Sequence, residues 1–165
     1  LINVREKELI YKPIGIIHSQ FTSVVGVPIQ PSGAEGIGGV VEVFDEFYDG
    51  LKSLDGFSHI ILIYHFHLAN GFQLEVIPFL DKKSHGVFAT RAPNRPNSIG
   101  MSVVKVKKVE QNRIYIENVD IIDGTPLLDI KPYASFFDNV VNEKNGWLSG
   151  NETLSKKIKS DERFK

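Results

Sequence analysis

FSHIILIYHFHL, residues Phe57 to Leu68, is the most apolar stretch of the chain. With the two-residue period of a strand, Ile61, Ile63, His65 and His67 share one face. Ile60, Leu62, Tyr64, Phe66 and Leu68 share the other. Both faces are apolar for most of the length, which predicts a central strand. Its character changes at the C-terminal end, where two imidazoles enter a pattern that has been hydrocarbon until then. A central strand that turns polar at one end predicts a pocket at that end.

The segments on either side are short and extended. Lys12 to His18 reads as a first strand opened by Pro13, and Val40 to Phe44 as a second. A short strand is predicted over Gly86–Thr90 and a longer one over Met101–Val109, with Lys105 and Lys107 on one face. Arg113 to Ile121 continues as a strand whose apolar phase shifts, predicting a bulge near Glu117-Asn118. Asp123-Gly124 marks a tight turn, and Pro132 ends the extended piece that follows. Asp45 is placed to cap a helix over Glu46–Leu54, with Phe47, Leu51 and Leu54 on one face. Residues 1–12 read as an arm ending in an edge strand. Residues 148–165 read as a short helical tail capped by Asn151, with Leu154 and Ile158 on one side. Close strand spacing without alternating long helices predicts a mainly β fold. The expectation is a compact barrel with short helices and long connecting loops, not a Rossmann sheet. One domain covers residues 1–165, its core at about 8–140.

Composition narrows the function. A chain of 165 residues can bury about two thirds of its extended surface, enough for a real core. Its formal net charge of −1 supplies no general positive field, so a nucleic-acid partner needs a local basic patch. With no cysteine, disulfides, thiolate nucleophiles and sulfur-ligated metals are excluded. No apolar run reaches the roughly 18 residues of a membrane span, and the opening LINVREKELI has no apolar signal core. The cytoplasm is the expected compartment.

Two stretches carry unusual chemistry. HGVFATRAPNRPNSIGMS, residues 85–102, holds Arg91 and Arg95, Pro93 and Pro96, and Asn94 and Asn97 in close succession. Prolines fix φ and constrain the residue before them, so the two guanidiniums sit on a stiffened loop suited to binding. The loop at 19–39 is long and rich in glycine, and loops of that length in a compact domain are commonly functional. It contains no GxGxxG, so no dinucleotide fingerprint is present, and no serine sits in a nucleophile elbow. His65-Phe66-His67 could place two imidazoles toward a metal, with His18, His59, His85 or Glu75 as third ligand, or could line a pocket. Asp120, Asp123 and Asp129 are close in sequence and could do acid–base work, although Asp123 precedes a glycine as turn aspartates do. Asp129 shares its phase with Lys131 and Tyr133, facing solvent or a cleft.

Five segments together carry a resemblance: PIGIIHS at 13–19, PIQP at 28–31, FSHIILIYHFH at 57–67, ATRAPNRPNSIGMS at 89–102 and DGTPLLDIKPY at 123–133. The chain from about Ile14 to Tyr133 resembles the TsaA/TrmO-like family of S-adenosylmethionine-dependent tRNA methyltransferases. The resemblance implies a dimeric barrel that methylates N6 of threonylcarbamoyl-adenosine 37 in the anticodon loop of a threonine tRNA. It implies cofactor contacts at Pro28, Ile29 and Gln30, at Phe66 and His67, at Arg91 and Met101, and at Asp123, Gly124, Thr125 and Pro126. The family's proline–arginine–glutamine motif has Ile29 at its centre here, so one charged contact is missing. Arg91 or Arg95 could grip the methionyl carboxylate or an RNA phosphate through a planar fork. Arg95, Asn97, Lys105, Lys107 and Lys131 are the candidate tRNA contacts. Asp129 and Tyr133 are the first choices for an assisting base. The implied partners are tRNA and a second copy of the chain, with no DNA, no membrane and no resident metal. Two other readings stand beside this one: a cupin-type metal enzyme using His65 and His67, and a non-catalytic S-adenosylmethionine-binding or RNA-binding module.

Overall fold

The computed structural model describes residues 8–165, so the expected N-terminal arm lies mostly outside the described residues. Six strands close into an antiparallel barrel. In chain order they are β1 (Gly15–His18), β2 (Gly38–Val43), β3 (His59–His65), β6 (Ile99–Glu110), β7 (Arg113–Glu117) and β8 (Thr125–Pro132). Around the barrel the order is β1-β2-β7-β6-β3-β8, and β8 returns to β1. Two further strands, β4 (Glu75–Val76) and β5 (His85–Gly86), pair outside it as a small ribbon. Closure leaves the barrel with no free edge.

The predicted central strand is central. β3 is hydrogen-bonded to β6 on one side and β8 on the other. Ile60, Leu62 and Tyr64 point into the barrel and are buried, while Ile61 and Ile63 are half-covered on the outside. Ile17, Val41, Val104, Ile114, Ile116 and Leu127 complete the filling, one face of each strand in alternation. Removing such side chains from water is the main stabilising term, at roughly 1.5–3 kcal/mol each.

Several local expectations need correction. Asp45–Leu51 is a 3-10 helix with Phe44, not Asp45, at its N-cap, and a second short turn covers Leu54–Gly56. Ser53 between them adopts φ 69°, which breaks the helix expected through Leu54. Asp45 instead accepts a hydrogen bond from Asn112 across the β6–β7 turn at 3.2 Å. The predicted strand over Gly86–Thr90 is two residues of β5 followed by a 3-10 turn at Val87–Ala89. The phase shift after Ile116 is not a bulge in β7: the strand ends at Glu117, and Asn118 with φ 67° resets the alternation. The register bulge lies opposite, in β6 between Val106 and Lys108. The tail keeps one helical turn, α2 (Glu152–Ser155), after a similar turn α1 (Ser135–Asp138). Beyond α2 it runs back across the molecule, where Lys159 pairs with Pro28.

Candidate functional site

A cavity opens where β3 gives way to irregular chain, the place where the sequence turns polar. Tyr64, Phe66 and His67 line it from β3 and its continuation, Met101 from β6, and Asp120 and Thr125 from the β7–β8 connection. Pro28, Ile29, Gln30 and Arg91 close it from the two loops. Its volume is about 140 Å³, below the roughly 300–1,000 Å³ of small-molecule sites. A second cavity of about 560 Å³ adjoins it and shares Ile29, Gln30, Phe79, Arg91 and Phe164. The two together have the size of a ligand site. Between them, Arg91 Nη1 donates to Gln30 Oε1 at 2.7 Å, forming a polar bar.

The glycines serve this end of the barrel. A Cβ at Gly100 would meet the Tyr64 ring, with Cζ only 2.6 Å away, and the Phe66 ring at 2.8 Å. Gly100 is therefore the gap into which both aromatics lean, and they meet edge-to-face at 5.4 Å. Gly124, with φ 75°, makes the turn ahead of β8. The neighbouring Asp123 does not line the cavity: it accepts from Ser19 N at 3.1 Å and lies 3.4 Å from His18. Thr125 Oγ1 donates to Ile122 O at 2.7 Å and approaches His67 Nδ1 at 3.3 Å. Burial, then the neighbouring His65, holds the His67 imidazole below its usual range, so it is neutral.

At the cavity's inner end stands a short polar chain. Tyr64 Oη lies 3.0 Å from Ser102 Oγ, which donates to Asp120 Oδ1 at 2.7 Å. Burial pushes the Asp120 carboxyl up to about 7, against the lowering effects of the Ser102 hydroxyl, of its own backbone N–H and, least, of Arg91. Burial, then the charge of Asp120, pushes the Tyr64 hydroxyl well above its usual range, so it stays protonated.

Most of the expected cofactor residues therefore come together: Pro28–Gln30, Phe66, His67, Arg91, Met101 and Thr125 all line the inner cavity. Asp123, Gly124 and Pro126 shape its wall without lining it. The other expectations fall elsewhere. Asp129 bridges to Lys131 at 2.7 Å, and neither it nor Tyr133 lines either cavity. Lys105 and Lys107 both pair with Glu117, at 3.3 and 3.0 Å, and Asn97 is an exposed loop residue. Arg95 is half-buried and donates to Thr90 O at 3.1 Å and Ala92 O at 3.5 Å, bracing its own loop. Of the two arginines it is Arg91 that is exposed. His65 is exposed at the strand end while His67 lines the cavity, so the two imidazoles do not converge. Missed from the sequence were Ser102 and the tail residues Ser160, Asp161 and Phe164, which line the inner cavity's far side. Asp120 is one of the three aspartates that stand close in sequence, and the irregular backbone around it conceals its inward position from a period-two reading.

A closed barrel with a ligand cavity at one mouth, walled by loops and without a Rossmann crossover, defines a class of small-molecule-binding barrels. The comparisons make the assignment specific. Residues 16–139 match the model of the tRNA-methyltransferase O N-terminal domain, so the chain belongs to that family. A probable S-adenosyl-L-methionine-binding protein of Pyrococcus abyssi is 55% identical over 93% of this chain and 84% of its own length. The mouse tRNA (adenine(37)-N6)-methyltransferase is 38% identical over 81% of this chain but 33% of its own length. A crystal structure of TrmO from Pseudomonas aeruginosa superposes with a TM-score of 0.72 at 37% identity, covering 86% of this chain and 63% of that one. The chain thus spans a third of the mouse enzyme and somewhat under two thirds of the solved bacterial protein.

Proposed function

We propose that the chain is a methyltransferase that places a methyl group from S-adenosylmethionine on N6 of threonylcarbamoyl-adenosine 37 in the anticodon loop of a threonine tRNA. The observation that carries this reading is the convergence, around one cavity, of four separate segments the family resemblance assigns to cofactor. The donor set suits that ligand: a guanidinium for a carboxylate, an amide for a polar edge, aromatic and thioether walls for a base, and a carboxylate facing a cationic molecule. Arg91 would hold the carboxylate, Gln30 being its present partner, and Phe66, Met101 and Pro28 would flank the purine. Once bound, S-adenosylmethionine supplies an electrophilic methyl group. The protein's own work is then to align the amine with it, exclude water and receive a proton. The target lies in a single-stranded loop, so exposing the base costs less than flipping it from a duplex.

We also propose that two copies associate. Phe136, Phe137, Val140 and Val141 form an exposed apolar run just beyond β8, with Phe136 87% exposed. Among the described residues no helix is long and apolar enough to cross a membrane. We propose a cytoplasmic location, in keeping with the proposed tRNA substrate. The deciding experiment is methyl transfer from labelled S-adenosylmethionine to total tRNA, followed by nucleoside mass spectrometry. N6-methylated threonylcarbamoyl-adenosine is the expected product. Cofactor binding without any methylated nucleoside would favour the non-catalytic reading.

A further inference from the structure

Asp120 has an arrangement that cofactor binding alone does not explain. Ser102 is fully buried and its hydroxyl donates to Asp120 Oδ1, so its oxygen is left to accept from Tyr64. Tyr64 is protonated and buried, which fixes it as a donor. Both hydroxyl protons of the chain therefore point toward the carboxylate, and Asp120 is its accepting end. If Asp120 held a proton on Oδ1, the chain would reverse and leave the buried Tyr64 proton without an acceptor. The free site for a proton is Oδ2. Oδ1 is taken by Ser102 and Asp120 is one of the residues that line the cavity, so Oδ2 is the oxygen left to face it.

We propose that Asp120 Oδ2 is the catalytic base that takes the proton released by the target amine. This rests on the reading of the function given above. The N6 nitrogen of the substrate bears one hydrogen beside a carbamoyl group, which draws off its lone pair. As the N–CH₃ bond forms, the S–CH₃ bond breaks with its electron pair returning to sulfur, and the N–H proton passes to Asp120. One positive and one negative charge disappear together, a change that a poorly hydrated cavity favours. The groups around Asp120 are suited to this. Tyr64 cannot compete for the proton, His67 is neutral, Arg91 stands at the mouth, and Asp161 on the tail is clamped by Arg163 at 2.8 Å. An acceptor whose affinity lies near neutrality is the efficient one for this task.

The test compares wild type, Asp120→Asn and Ser102→Ala in the full chain, with tRNA bearing threonylcarbamoyl-adenosine 37. Asp120→Asn should lower kcat roughly 10²-fold or more, leave S-adenosylhomocysteine affinity by calorimetry within about threefold, and abolish the acidic limb of the kcat–pH profile. Carboxyl-carbon NMR of the ligand-free protein should show one aspartate titrating near 7, absent from Asp120→Asn. Ser102→Ala, which removes the lowering hydrogen bond, should move both the limb and that resonance to higher pH. Wild type active with Asp120→Asn equally active, or no aspartate titrating above the ordinary range, overturns the role. Should Asp120→Asn fail to fold, an unmoved limb in Ser102→Ala overturns it. Wild type that transfers no methyl to that tRNA overturns the function and this role with it.

Discussion

Arg91 is held on one side by Gln30 and is otherwise exposed, so its strength as a ligand depends on what covers it. An exposed pair contributes under about 1 kcal/mol, while a desolvated bidentate pair lost on one side costs about 2–5 kcal/mol. Arg91→Ala is expected to weaken S-adenosylhomocysteine binding by roughly 30-fold or more, and Arg91→Lys by less but measurably, because lysine keeps charge and loses the fork. Calorimetry checks both. Unchanged affinity in Arg91→Ala would place the carboxylate elsewhere in the cavity. Asp120 makes a prediction about stability of the opposite sense. Its folded-state affinity for protons exceeds that of the unfolded chain, so the folded state binds the extra proton between the ordinary carboxylate range and about pH 7. Its contribution therefore becomes less favourable as pH rises through that window. Thermal melts should show Asp120→Asn gaining Tm relative to wild type at pH 8 and much less at pH 5, a stability gained where activity is lost.

The loop at 91–97 and strands β3 and β6 work as one element around the cavity. Arg95 ties the loop to carbonyls at Thr90 and Ala92, and Gly100 at the head of β6 leaves room for Tyr64 and Phe66. Gly100→Ala forces both rings to move. It should destabilise by about 1–3 kcal/mol and weaken cofactor binding together, seen as parallel losses in chemical denaturation and calorimetry. A stable variant with intact binding would show that the rings yield without disturbing the site. Much of this element was readable in the sequence, since β3 announces itself by length, apolarity and the change of character at His65. The loop was readable through its prolines. What escaped was set by contacts distant in sequence. The alternation around Asp120 is broken by Asn118 in a left-handed conformation, so period-two counting gave its neighbours' burial and not its own. The helix expected at 46–54 had the right apolar spacing, yet it is wound as a 3-10 helix that stops at Leu51, and the left-handed Ser53 separates it from the short turn at Leu54–Gly56. Of the lysines offered as tRNA contacts, Lys105 and Lys107 are paired by Glu117 from the neighbouring strand, a register that no local pattern reveals, whereas the Lys131–Asp129 pair lies within β8 and follows from their shared phase.

For the whole molecule, the exposed apolar run at 136–141 and the proposed second copy lead to one expectation. Light scattering at micromolar concentration should give twice the chain mass, and Phe136→Asp with Phe137→Asp should return it to one. A monomeric wild type with full activity would overturn the proposed association. The C-terminal residues belong to the same scale. Phe164 packs against Val76, Val87 and Ala92 and meets Phe79 edge-to-face at 5.2 Å, so Phe164→Ala should cost roughly 3 kcal/mol.

That docking has a thermodynamic corollary. Ser160 donates to Val27 O and accepts from Gly26 N, both at 2.8 Å, immediately before the Pro28–Gln30 wall. Any molecule that binds that wall better when the last residues are in place must, by reciprocity, hold those residues in place to the same degree. The amide of Ser160 thus becomes a reporter of occupancy: its hydrogen exchange should slow as S-adenosylhomocysteine is added, by the same factor that undocking the tail lowers the affinity for that ligand.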